Sequence, residues 1–131
     1  LLSIANSIAT VLYDVTNKEE KMNFNDYQKL ALRTNLAKED VFKELMQQVL
    51  GLADEAGEVQ SIFKKWIRDQ DADPEKLDAE KIKKELGDVL WYIAVIANDL
   101  GIPLDDLAQA NIEKLSSRLE RGKITGSGDD R

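Results

Sequence analysis

Two long stretches of this chain place an apolar residue at every third or fourth position, and that rhythm leaves little room for anything but helices. Leu45, Val49, Leu52, Ala56, Val59, Phe63 and Trp66 follow a 4,3,4,3,4,3 spacing, which makes a coiled-coil-like seam. Ile82, Leu86, Val89, Ile93, Ile96 and Leu100 form a second seam. Only two Pro and seven Gly occur in 131 residues, and strong helix formers dominate, so the predicted fold class is all-α. The first long helix is predicted over about Glu39 to Asp69. Asp73 as N-cap and Pro74 as N1 open the second, which runs to about Leu100 and ends at Gly101 as C′ residue. A third follows Pro103 and reaches about Arg121, with Ala108, Ile112, Leu115 and Leu119 facing inward. Upstream, Asn25-Asp-Tyr-Gln28 has the form of a capping box that opens a short helix to about Thr34. Leu1, Ile4, Ile8, Val11, Leu12 and Val15 have the spacing of one more amphipathic helix.

The run from Val89 to Ala97 is apolar on every side, more than the surface helix of a lone small domain accommodates. A second chain covering one side is the expectation, so the bundle is completed by oligomerisation. The length suits one domain with a real core. Twenty-five acidic against 18 basic side chains give a net charge of −7, which opposes general affinity for nucleic acid or for an anionic membrane. Without Cys there is no disulfide framework, and a reducing cytoplasm fits. The longest apolar run falls well short of the roughly 18 residues of a membrane span. Residues 1–15 lack a basic start and a small-residue cleavage site, so they make a poor signal peptide. The organisation read from these features is an extension over 1–21, a helical domain over 22–121 and a Gly-rich tail over 122–131.

Two carboxylate pairs ride beside the seams: Glu55-Ala-Gly-Glu58 and Glu85-Leu-Gly-Asp88, separated by residues 59–84. On a helix, i,i+3 spacing points both acids of a pair to nearly the same side. A single such pair is ordinarily a solvated face. Two pairs, each containing a helical Gly (Gly57, Gly87) and each bordering an apolar seam, read as one metal site, because unpaired carboxylates there repel and lose hydration. Helical Gly costs about 1 kcal/mol against Ala unless close packing offsets it. Four carboxylates without a single His favour hard divalent cations, Mg²⁺ or Mn²⁺. The expected work is phosphate chemistry.

The same composition excludes other chemistries. With no His the chain cannot build a ferritin-like di-iron site or a Ser-His-Asp triad, and with no Cys it has no thiol nucleophile. No P-loop is present, so phosphate falls to metal ions and side chains. Lys64, Lys65, Lys83, Lys84, Lys114, Arg118 and Arg121 are the cationic candidates, and most Lys on a helix face serve only solubility. Asn111, Lys114 and Arg118 share one face as a donor-rich stripe suited to polyphosphate oxygens. Trp66 and Tyr92, more often core than ligand at such positions, are the candidates to border a nucleotide base.

The segments Gly51-Leu-Ala-Asp-Glu-Ala-Gly-Glu-Val59, Glu85-Leu-Gly-Asp-Val-Leu-Trp-Tyr92 and Asn111-Ile-Glu-Lys114 with Arg118 resemble the MazG-like nucleoside triphosphate pyrophosphohydrolases of the all-α NTP pyrophosphatase superfamily. The resemblance covers about Asn23 to Arg121, and the final Gly-Ser-Gly-Asp-Asp-Arg131 is similar to the tail of some short members. It implies hydrolysis of a nucleoside triphosphate between the α and β phosphates, in nucleotide-pool house-cleaning. Glu55, Glu58, Glu85 and Asp88 would hold Mg²⁺, with one glutamate also activating water. Asn111, Lys114 and Arg118 would hold phosphate or sugar, and Lys64, Trp66 and Tyr92, chosen from the residues themselves, complete the substrate-contact candidates. It also implies a homodimer or homotetramer in which a neighbour contributes to each site. Asp54 stands where Gly is frequent in the family, and residues 1–21 fall outside the resemblance. A non-catalytic helical adaptor, or a pyrophosphohydrolase acting on a nucleotide alarmone, are the competing readings.

Overall fold

The computed structural model describes residues 21–36 and 39–128. The helix expected within residues 1–15, the extension over 1–21 apart from Lys21, and residues 129–131 of the tail lie outside the described residues. The described residues form four α-helices: α1 (Phe24–Ala31), α2 (Val41–Gln70), α3 (Ala79–Asp99) and α4 (Leu104–Glu120). Short 3₁₀ turns, Leu32–Thr34 and Pro74–Lys76, follow α1 and precede α3. The all-α expectation holds. Among the described residues no single helix is long and apolar enough to cross a membrane.

Helices α2 and α3 make an antiparallel hairpin along the two seams, the most extensive helix contact among the described residues. Asp40 caps α2, its carboxylate accepting the Lys43 N–H at 3.0 Å. Asp71 and Ala72 then turn the chain through left-handed backbone at φ 51° and 53°. The start of α3 differs from the sequence reading. Asp73 and Pro74 do form a capped turn, but Leu77 returns to extended backbone, and the helix proper begins after Asp78, whose carboxylate accepts the Lys81 N–H at 2.9 Å. The end of α3 is as expected: Gly101 adopts φ 71°, and the Gly101 and Ile102 N–H groups close back onto the Asn98 and Ala97 carbonyls.

The capping box of α1 sits two residues earlier than read, on Asn23 and Asp26. Asn25 instead accepts the Asp105 N–H at 3.0 Å, across to α4. That leaves α1 lying over α3 and the start of α4, around Ala31, Ala94, Ala97 and Leu104, with Tyr27, Trp91 and Ile93 packed against them. Gln28, buried there, joins three elements. Its amide donates to the Ala94 and Ile102 carbonyls and its oxygen accepts the Leu104 N–H, each at 3.1 Å. Trp91 adds a donation to Thr34 Oγ1 at 2.8 Å.

Helix α4 leaves α3 at a bend of 105°. This overturns one expectation within the chain: Ile112, Leu115 and Leu119 are exposed rather than inward-facing, at 57%, 41% and 68%. The bend carries the second half of α4 clear of the hairpin that would have covered them. The run from Val89 to Ala97 contains no exposed residue, and Ala94, Val95 and Ala97 are buried.

Candidate metal and phosphate site

The middle turns of α2 and α3 bring acids from both motifs together. One carboxylate oxygen each from Glu55, Glu85 and Asp88 lies within 4.8 Å of the others. Glu55 and Glu85 are half-buried against the hairpin seam and Asp88 is exposed. Glu58, one turn after Glu55, is exposed and stands outside this cluster. Its charge still reaches Glu55. Desolvation, followed by the charges of Asp88, Glu85, Asp54 and Glu58, raises the Glu55 pKa above the ordinary carboxylate value.

The donor set is entirely carboxylate oxygen, drawn from two rigid helices, which suits a hard divalent cation. Such a cation would relieve the like-charge repulsion on Glu55.

Close packing is not found at the two motif glycines. A Cβ added at Gly57 or Gly87 would meet nothing within 4 Å. The close approach is at Gly51 instead, where a Cβ would overlap the Tyr92 ring. Tyr92 is also edge-on to Trp91, with ring centroids 4.9 Å apart, and lines a groove of about 610 Å³ with Gln47, Gly51 and Asp54. Trp66 lies towards the far end of α2, donating its indole N–H to the Asp73 carbonyl at 2.7 Å and packing edge-on to Phe63. Lys64 is exposed on α2.

The three α4 residues do not share one environment. Asn111 and Lys114 are exposed and line a groove of about 620 Å³ with Ile102, Asp106 and Leu107, a groove that contains none of the motif carboxylates. Arg118 is buried at 5% exposure and donates from Nη2 to the Gly128 carbonyl at 3.3 Å.

One residue near the cluster escaped the sequence reading. Tyr27 of α1 is half-buried, and its phenol pKa is raised by burial first and by the Asp88 charge second. The seam spacing gives no sign of it, because the proximity depends on how α1 crosses α3.

Comparison with known proteins agrees with this architecture. Residues 43–122 match the MazG nucleotide pyrophosphohydrolase domain. Gene 37 protein of Mycobacterium phage L5 is 42% identical over 92 residues, covering 70% of this chain and 81% of the phage protein. The Bacillus subtilis (strain 168) protein named uncharacterized protein YvdC is 32% identical over 74 residues, covering 53% of this chain and 70% of that one. No solved structure matches significantly.

Proposed function

The chain belongs to the MazG nucleotide pyrophosphohydrolase family, and we propose that it hydrolyses a nucleoside triphosphate to the monophosphate and pyrophosphate in a Mg²⁺-dependent reaction, with Mn²⁺ as a substitute. The observation that carries this reading is the gathering of Glu55, Glu85 and Asp88 oxygens from two helices within 4.8 Å. These three side chains would hold the cation. When bound, it supplies positive charge that neutralises the triphosphate and polarises the α phosphate.

The chain's own residues do the rest. Glu58, outside the three-acid cluster yet one turn from Glu55, is assigned as the base. It takes a proton as the water oxygen bonds to the α phosphorus, while the bond from that phosphorus to the α,β-bridging oxygen breaks and pyrophosphate leaves. Lys64 is a candidate contact for the departing phosphates. Trp66 and Tyr92 serve by fixing the hairpin turn and the spacing of α2 from α3. Asn111 and Lys114 lie in a separate groove, so in this reading they serve the site of a second copy, as a homodimer or homotetramer. The bare Ile112, Leu115 and Leu119 support that assembly, since leaving such side chains in water forfeits about 1.5 to 3 kcal/mol each. Arg118, engaged with Gly128, anchors the C-terminal segment.

The test is a panel of standard NTPs and dNTPs with Mg²⁺, identifying both products. Monophosphate with pyrophosphate supports the reading. No turnover of any nucleotide by a folded, metal-loaded protein would leave the helical-adaptor reading in its place.

A further inference from the structure

The outer side of α2 carries a second apolar strip. Phe42, Met46, Val49 and Ala53 step by four, three and four, and Ala56, Gln60, Phe63 and Ile67 repeat those steps three residues on, outward of the seam that packs against α3. Gln60 is its one polar member. A rhythm of this kind, kept over most of a long helix, is the signature of pairing with another helix. Among the described residues no helix covers the strip, and its five large apolar side chains are 38% to 70% exposed. They make a patch of roughly 500 Å², at the upper end of what a lone soluble domain leaves bare, and two such patches reach the roughly 1,000 Å² that a specific interface needs.

The order of sizes along the strip reads the same from either end. Laid antiparallel on a copy of itself with Ala53 opposite Ala56, the strip sets Val49 against Gln60, Met46 against Phe63 and Phe42 against Ile67. The alanines then meet at the centre, where small side chains let two helices approach closely, and the large side chains close both ends. A patch that is complementary to itself is what a two-fold interface requires. Antiparallel pairing also opposes the two helix dipoles and keeps Lys64, which flanks the strip, away from its own copy, where a parallel pair would set the two ammonium groups opposite each other.

The strip and the acids occupy different sides of α2. Glu58 stands two residues from both Ala56 and Gln60, about 200° round the helix, so closing the strip leaves the acid face open.

We propose that α2 pairs with α2 of a second copy of this chain, antiparallel about a two-fold axis that passes beside Ala53 and Ala56. The inference rests on the proposed assembly in taking a second copy as the partner, and goes beyond it in naming the surface, which is separate from the bare face of α4. It stands or falls independently of nucleotide hydrolysis.

The chain has no Cys, so introduced thiols report the register without background. Met46→Cys and Phe63→Cys are made separately in the full chain, oxidised alone and mixed, and the linked species are identified by mass. The antiparallel register brings position 46 of one copy to position 63 of the other, within disulfide reach, so the mixture should yield the mixed disulfide and each variant alone at most a trace. Light scattering against concentration should show that the unaltered chain self-associates, and that Val49→Lys or Ile67→Lys, each placing a charge in the closed strip, raises the dissociation constant about tenfold or more while helix content is kept. The cross-link keeps the test informative if a lysine variant does not fold. A disulfide formed as readily by either variant alone, no disulfide in the mixture, or self-association unchanged in folded lysine variants would overturn the inference. Cross-linked, self-associating protein that turns over no nucleotide would refute the proposed reaction and leave this interface standing.

Discussion

Tyr92 lies across Gly51 so closely that a Cβ at position 51 could be placed only by displacing the tyrosine ring. One residue from each long helix thus sets how near α2 and α3 come, one turn away from Glu55 on one helix and from Asp88 on the other. Glu55, Glu85 and Asp88 gather on the turns next to this contact, on its hairpin-loop side.

Gly51→Ala should therefore behave differently depending on residue 92. With Tyr92 present, the added methyl displaces the ring, at an overpacking cost of about 1 to 3 kcal/mol. In a Tyr92→Ala background the same change should gain about 1 kcal/mol from helix propensity. Urea denaturation of the four proteins of the cycle reads the coupling. Additive effects would mean the ring does not need the glycine.

Gly57 and Gly87 invite the opposite result. Both are helical and open, so Gly57→Ala and Gly87→Ala should each raise the thermal midpoint, by the equivalent of about 0.5 to 1 kcal/mol. The midpoint is measured on dilute, metal-free protein. A lowered midpoint would show that these faces are covered.

The gathering of three of the four motif acids is legible in the sequence, for a physical reason. Helical spacing is a local property, and it carries Glu55, Glu85 and Asp88 to the same side of two seams that must meet. Glu58 has the same local credentials yet stays outside the cluster, because the tilt of its face relative to α3 is set by packing. The capping box falls two positions before the one the sequence favours, since Asn23 and Asn25 both suit an N-cap and Asn25 is instead engaged by the Asp105 N–H of α4. The exposure of Ile112, Leu115 and Leu119 follows from a 105° bend that no periodicity encodes. Tyr27 and Arg118 owe their surroundings to contacts with other segments, α3 in one case and the chain beyond Gly122 in the other.

The raised Glu55 pKa predicts a pH signature in metal-free protein. Because the folded state holds that proton more tightly than the unfolded chain, stability falls as pH rises from the unfolded value through the raised one, then levels off. Asp40 and Asp69, whose pKa values are lowered by hydrogen bonds from Lys43 and Arg68, contribute in the other direction at lower pH: their stabilisation is lost as pH falls through the lowered values. Glu55→Gln should remove the first slope and leave the second. Thermal midpoints across pH 3 to 7 in chelator check it, and an unchanged slope in the variant would refute the assignment to Glu55.

The most direct test of the account is hydrolysis of a nucleoside triphosphate in ¹⁸O-labelled water with Mg²⁺, followed by mass spectrometry of the products, for the unaltered chain and for Glu85→Gln. Attack at the α phosphorus predicts the label in the nucleoside monophosphate, unlabelled pyrophosphate, and loss of turnover in the variant. Label in orthophosphate beside a nucleoside diphosphate, or full activity in folded Glu85→Gln, would contradict it.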